Sequence, residues 1–316
     1  MTTYKEVFGK YVRSVSSDPP AAAGTGEIWY NTSSNTFKTV GFNFAWSSGG
    51  ALGTSRVNLS GAGTLTAGLV FGGYPSNNET EEYNGTSWSE QNNLNTGRGS
   101  ACGFGVQTAA VMAGGHNYQT TTENYNGSSW TTSGALSTGR RYLAGAGTQT
   151  AGLAIAGYTG PSAGINNSEE YGGSSWTTGG TLNPTAWACA GAGTQTAALK
   201  MGGAGSSSPG PTAGTDVQEY DGSSWTAGAS MPSANKGNQG AGTQTDALTF
   251  GGNTTGTQTL GYDGTSWSTK SSLSTGRTYF AGFGTGSAAV AAGNNPAATT
   301  TEEFTGTAAV KTLTTS

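Results

Sequence analysis

A six-residue phrase, Tyr125-Asn126-Gly127-Ser128-Ser129-Trp130, recurs along the whole chain. It returns as Tyr83–Trp88 (YNGTSW), Tyr171–Trp176 (YGGSSW), Tyr220–Trp225 (YDGSSW) and Tyr262–Trp267 (YDGTSW), with a worn copy at Phe304–Ala309 (FTGTAA). Asn-Gly and Asp-Gly reach positive φ cheaply, so the phrase predicts a tight type I′ turn joining two antiparallel strands. The flanking Tyr and Trp are large aromatics at strand positions, each with a large apolar area to bury.

The recurrent tryptophans are Trp46, Trp88, Trp130, Trp176, Trp225 and Trp267, with Ala309 in a seventh slot; successive gaps are 42, 42, 46, 49, 42 and 42. Four short strands in each such period is the spacing of a β-propeller blade. A small-residue strand opens each unit: GAGTLT (61–66), GFGVQT (103–108), GAGTQT (145–150, 191–196, 240–245) and GFGTGS (282–287). Glycine weakens an ordinary strand. At the innermost position of a blade, where backbones crowd the axis, it is the residue that fits.

Composition agrees with an ordered β protein. Glycine is 55 of 316 residues and charge only 9%, a pattern shared with disorder, but 8 Trp, 13 Tyr and 10 Phe at regular intervals argue for packed cores. The net charge of −4 supplies no basic patch for nucleic acid. No apolar run approaches the ~18 residues of a membrane span, and MTTYKEVFGKYVRSV has no apolar core of a secretory signal. Cys102 and Cys189 lie in non-adjacent units and read as small buried hydrophobes. The single histidine, His116, has no cysteine nearby, so no metal site or cofactor is expected.

The repeat resembles the kelch family. The resemblance rests on Gly72-Gly73, Gly114-Gly115, Gly202-Gly203 and Gly251-Gly252, on the Tyr and Trp spacing, and on the loops Leu94–Arg98, Leu136–Arg140 and Leu273–Arg277. It covers residues 51–311. Ala156-Gly157 and Ala292-Gly293 keep one glycine, and Lys236 replaces the arginine in its unit. The resemblance implies an all-β propeller of four-stranded blades and leaves function open, because kelch proteins include enzymes, cytoskeletal proteins and adaptors. The Gly-x-x-Trp spacing is also that of the sialidase Asp-box, but Tyr stands where that box has Asp.

Residues 51–316 supply six units. Counting back from Trp46 places Glu27–Asn31 and Thr36–Val40 on second and third strands and Tyr11–Val15 near a first. Residues 1–50 therefore read as a degenerate first blade, giving seven. In the alternative, six blades form, the Trp46 strand closes the ring, and residues 1–40 are a docking arm. Closure removes exposed sheet edges either way.

One face of such a propeller carries tight turns; the other carries the variable loops and the loops between blades. Insertions in repeat proteins commonly fall on the binding face. The candidate ligand residues are Tyr74, His116, Tyr118, Tyr158, Asn166 and Asp216, together with the loop 204–217; aromatics with Asn and Ser neighbours suit sugars. Arg56, Arg98, Arg140 and Arg277 read either as an anion-attracting ring or, more economically, as braces on loop carbonyls. Adjacent strand residues point to opposite faces, so the pairs Glu81-Glu82, Glu169-Glu170 and Glu302-Glu303 do not converge as glycosidase carboxylates.

Ser17–Val40 resembles a segment common in tailed-bacteriophage virion proteins, and Glu302–Ser316 resembles endings of kelch-like phage proteins. These resemblances imply a non-enzymatic virion structural or adhesive protein, part of an oligomeric assembly. It would bind a host surface glycan or another virion subunit. A bacterial lectin-like or extracellular-matrix propeller is the alternative. A copper-oxidase kelch enzyme needs two histidine ligands, and the chain has one His.

Overall fold

The structure is a computed structural model that describes residues 12–20, 27–75, 78–160, 164–205, 212–253 and 256–313. It falls into two compact units: residues 1–45 with 305–316, and residues 46–304.

In the first unit β1 (Arg13–Val15) pairs in parallel with β2 (Ile28–Asn31), which pairs antiparallel with the start of β3 (Thr36–Ser48). The turn between β2 and β3 is held by Asn31, whose Oδ1 accepts the amides of Ser33 and Ser34, each at 3.0 Å. Asp18 accepts Trp29 Nε1 at 2.9 Å and Asn31 Nδ2 at 2.6 Å. Those two donors hold its carboxyl below the usual range, Asn31 more than Trp29. A blade needs an antiparallel first pair and a hairpin between third and fourth strands. Here the first pair is parallel and residues 36–48 run on as one strand, so this segment is not built like a blade.

The second unit is the propeller. Its sheets are β4–β7 (Ser60–Thr64, Ala67–Phe71, Thr80–Tyr83, Trp88–Gln91) and β8–β11 (Cys102–Val106, Ala109–Ala113, Thr122–Tyr125, Trp130–Ser133). Next come β12–β15 (Ala144–Thr148, Ala151–Ile155, Ile165–Tyr171, Trp176–Ala186) and β16–β19 (Ala190–Thr194, Ala197–Met201, Val217–Tyr220, Trp225–Ala227). The fifth is β20–β23 (Asn238–Thr243, Asp246–Gly251, Thr259–Tyr262, Trp267–Lys270). The sixth sheet has β24 (Ala281–Gly284), β25 (Ala289–Ala292) and the start of β26 (Thr301–Thr312). Its fourth strand comes from the other end of the chain, the Trp46–Ser48 end of β3, which neighbours β26. Trp46 lies 5.3 Å from Phe304, the relation Trp88 has to Tyr83 at 4.6 Å. Trp46, not Ala309, therefore fills the sixth tryptophan slot.

The innermost strands follow one another around the axis, and β24 packs against β4 to close the ring. Among the described residues the ring holds six sheets; the seventh suggested by the N-terminal offsets is not among them. Backbone crowding at the axis is real: a Cβ on Gly240 would lie 2.5 Å from the carbonyl oxygen of Gly191, and one on Gly191 would lie 2.7 Å from that of Gly145. The channel so lined encloses about 160 Å³.

The second to fifth sheets are each stapled to the one before by three repeat side chains; the first keeps two of them and the sixth one, because Leu65, Gly286 and Phe304 replace the others. In five of the six sheets the tryptophan indole donates to a hydroxyl on the third strand of the preceding sheet, as Trp130 to Thr80 and Trp176 to Thr122, both at 2.9 Å, while Trp267 donates to the carbonyl of Ala229 at 2.7 Å. Trp46 donates in the same way to Thr259 at 2.9 Å, so the closing strand uses the same bond. The tyrosine hydroxyl donates to a side-chain oxygen, a carboxylate for Tyr125 to Glu82 at 3.1 Å and Tyr262 to Glu219 at 2.6 Å, and an amide oxygen for Tyr171 to Asn124 at 3.0 Å. The glutamine of the GTQT turn donates to two carbonyls, as Gln195 does to Gly152 at 2.9 Å and Tyr171 at 3.0 Å. The YNGSSW connection is longer than the expected two residues. Tyr125 pairs with Trp130, and only Gly127 has positive φ, at 90°. Asn126 instead accepts the amides of Ser128 and Ser129 through its side chain, at 3.0 and 2.9 Å.

Candidate functional site

The site is built on the residue two places after each repeat arginine. Asn58, Ser100, Tyr142, Ala188, Gly237 and Tyr279 all have positive φ, between 51° and 66°. In this conformation each points its N–H at the carbonyl of its counterpart in the preceding unit. Ser100 donates to Asn58 (2.8 Å), Tyr142 to Ser100 (2.7 Å) and Ala188 to Tyr142 (2.8 Å). Gly237 donates to Ala188 (2.7 Å), Tyr279 to Gly237 (3.1 Å) and Asn58 to Tyr279 (2.6 Å). The cycle is closed: six hydrogen bonds encircle the axis where the innermost strands begin, around a cavity of about 50 Å³.

The arginines before this ring are braces. Arg56, Arg98, Arg140 and Arg277 are fully buried and pair with Glu81, Glu123, Glu169 and Glu302. Arg98 also donates to the carbonyls of Gly114 (3.0 Å), Thr96 (2.8 Å) and Met112 (3.1 Å). The glutamates accept the backbone N–H three residues before the arginine, Asn95 to Glu123 and Ser137 to Glu169, both at 2.8 Å. Burial lowers the arginine pKa values, and the paired carboxylates partly offset it.

Two units lack the arginine. Counting from the ring, its slot holds Asn235 and Ala186, so the residue replacing arginine is Asn235, not Lys236. Asn235 Nδ2 bonds the carbonyl of Gly251 at 2.6 Å, as Arg98 bonds that of Gly114. Where the slot is Ala186, buried Lys200 reaches in from β17, pairs with the Asp216 carboxylate and bonds its carbonyl at 3.4 Å. Asp216, expected to meet a ligand, is thus a brace.

Around the ring lies a cluster of aromatic and cationic side chains. The first loop residues Tyr74, His116 and Tyr158 are anchored to the residue after each arginine: Tyr74 N to Val57 O (2.8 Å), His116 N to Gly99 O (2.9 Å), Tyr158 N to Arg141 O (2.8 Å). This brings expected residues together. Tyr74 meets His116 edge-on at 5.5 Å, and Tyr118 lies 6.2 Å from Tyr158. It also brings in residues the repeat pattern did not single out. Trp187 lies 5.5 Å from Tyr158 and 5.7 Å from Tyr142, and Tyr142 lies 5.4 Å from Tyr279. The Arg141 guanidinium sits over Tyr118, Tyr142 and Tyr158 at 5.3, 5.2 and 5.4 Å, and Lys236 over Trp187 at 5.4 Å. Burial raises the Tyr74 and Tyr279 hydroxyls, with Tyr142 adding to both. Trp187 carried a signal in the sequence: it follows Trp176 by 11 residues, out of register with every other repeat tryptophan. Asn166 is half-buried on β14, and among the described residues no hydrogen bond or ring contact joins it to the cluster. In the loop 204–217, residues 206–211 lie outside the described residues.

The polar tips separate this cluster from the packing aromatics. Every repeat tyrosine from Tyr83 to Tyr262 donates its hydroxyl to a neighbour, and every repeat tryptophan donates its N–H. Among the described residues the hydroxyls of Tyr74, Tyr118, Tyr142, Tyr158 and Tyr279 and the indole N–H of Trp187 have no protein partner. Tyr118 is also 39% exposed and holds φ at 55°, a conformation that costs a bulky residue of order 1 kcal/mol and concentrates at binding sites. Cys102 and Cys189 are free and buried, and burial pushes their thiols up to about 12 and about 11.

The fold and this face define an all-β propeller that presents an aromatic and cationic surface around one end of its channel. No protein-family model matches the chain, and no curated protein matches it either.

Proposed function

We propose that this chain is a non-catalytic adhesive propeller that binds a surface carbohydrate through the aromatic face around its hydrogen-bonded ring. The observation that carries the reading is the set of six aromatic side chains whose polar tips have no protein partner among the described residues, beside repeat tyrosines and tryptophans that all have one. Flat rings stack on pyranose faces, and hydroxyl and indole donors serve sugar hydroxyls. The ring holds this surface on closed backbone hydrogen bonds, so little ordering is needed on binding.

The assembly we propose for it is a bacteriophage virion, in which the chain is one structural or host-attachment subunit. The kelch-like repeat and the resemblance of Ser17–Val40 and Glu302–Ser316 to phage virion proteins support this placement. The protein titrated against a glycan array is expected to bind a subset of oligosaccharides and to release them unchanged. Trp187→Ala is expected to weaken that binding about fivefold or more, the value of one stacking contact of about 1–3 kcal/mol. Loss of binding in no aromatic variant, or turnover of a bound sugar, would refute the reading. Imaging of the native assembly tests the placement: a cell-surface filament without capsid or tail tube would favour the lectin-like alternative.

A further inference from the structure

Arg141 stands apart from the other arginines of the propeller. Arg56, Arg98, Arg140 and Arg277 each pair with a glutamate and are fully buried. What sets Arg141 apart is that, among the described residues, it has no carboxylate within 4.0 Å; its Nε is buried with no hydrogen-bond partner, as are those of Arg56 and Arg140. Its guanidinium rests instead on the π faces of Tyr118, Tyr142 and Tyr158, at 5.2–5.4 Å. A guanidinium held on aromatic faces keeps its charge and its planar fork of donors. Lys236, over Trp187, which touches two of the same tyrosines, adds a second cation to the cluster. The chain carries 17 acidic against 13 basic side chains, so this positive spot lies on an otherwise acidic protein.

Resting on the carbohydrate reading above, we infer that the ligand is an acidic sugar, with a uronate-type carboxylate bound by Arg141 and the pyranose ring stacked within the Tyr142–Tyr158–Trp187 cluster. Arg fits a carboxylate bidentately, and such charge-assisted bonds are about twice as strong as neutral ones. A neutral sugar leaves the guanidinium unsatisfied, so the site discriminates against it. An acidic peptide would engage the same arginine but has no flat saccharide face for the rings.

The experiment titrates the full chain with glucuronate-terminated oligosaccharides and their glucose-terminated counterparts, following tryptophan fluorescence, with an Asp/Glu-rich peptide alongside. The acidic sugar is expected to bind at least about tenfold tighter than the neutral one, the lower end of a charged hydrogen bond. That margin should shrink as salt rises from 0.05 to 0.5 M, values chosen to span the change in screening length. Arg141→Gln should erase the margin between the two sugars, whereas Trp187→Ala should weaken both sugars and keep the margin. Arg141 makes its backbone bonds to Tyr158 whatever its side chain, so Arg141→Gln should keep the wild-type far-UV circular dichroism, and Arg141→Lys, which keeps the charge without the planar fork, should keep only part of the margin. Equal binding of the two sugars would overturn the carboxylate inference and leave the carbohydrate reading standing. Binding of neither sugar would overturn both. Peptide binding that matches the acidic sugar and is lost in Arg141→Gln would overturn it in favour of a protein ligand.

Discussion

Replacing Trp46 tests how the ring closes. Its indole donates to Thr259 at 2.9 Å and its ring lies 4.9 Å from Phe250 and 5.3 Å from Phe304. Trp46 thus ties the strand that completes the sixth sheet to the fifth sheet. A core Trp→Ala change costs about 3–5 kcal/mol. Trp46 is half-buried, which lowers the apolar part, while the hydrogen bond contributes about 1 kcal/mol and each aromatic pair about 0.5–1.5 kcal/mol. The expected loss for Trp46→Ala is therefore about 3 kcal/mol, a small fraction less than for fully packed Trp130→Ala. Opening this seam also bares strand edges that other chains pair with. The assay is urea unfolding by far-UV circular dichroism, with Trp130→Ala as reference and light scattering for association. A loss under about 0.5 kcal/mol for Trp46→Ala beside a full loss for Trp130→Ala would show that the closing strand is dispensable and refute this account of closure.

Two further perturbations address the braces. Arg98→Ala leaves Glu123 buried without its cation and should cost about 3–5 kcal/mol, while Arg98→Met with Glu123→Gln should recover much of it; denaturant midpoints decide, and an unchanged Arg98→Ala midpoint would mean the pair is not a brace. At Glu302, burial raises the carboxyl, but bonds from the side chain and backbone of Ser274 and the pull of Arg277 outweigh it, so the folded value is depressed. That contribution is fully present above the unfolded value of about 4.3 and is lost as pH falls through the lower folded one. Urea midpoints should therefore drop below about pH 4, and Glu302→Gln should start lower at neutral pH and fall less steeply. A variant as acid-sensitive as the parent would exclude Glu302 as a source of that dependence.

The repeat made the strands and their order legible. Tyr, Trp and the GTQT glutamine recur at fixed spacing because each reaches the same atoms of the preceding sheet, and a period survives in the sequence when every unit solves the same contact. The bracing arginines were legible for the same reason, and so were Tyr74, His116 and Tyr158, which occupy one slot in three successive units. Asp216 misled because its loop position looked free, whereas Lys200 occupies it to compensate for Ala186.

What the chain alone determined is the local grammar: aromatic alternation, turn chemistry and small residues at the axis, all set by interactions within about one repeat. Tertiary structure decided what depends on closing the circle. Trp46 joins Phe304 across most of the chain, the six ring amides meet carbonyls of neighbouring units, and Arg141, Tyr142, Trp187 and Tyr279 come from three units to one surface. Five of the six ring bonds keep the spacing of the repeat, but the bond from Asn58 to Tyr279 and the Trp46–Phe304 contact join the two ends of the chain, and no period of the repeat sets those.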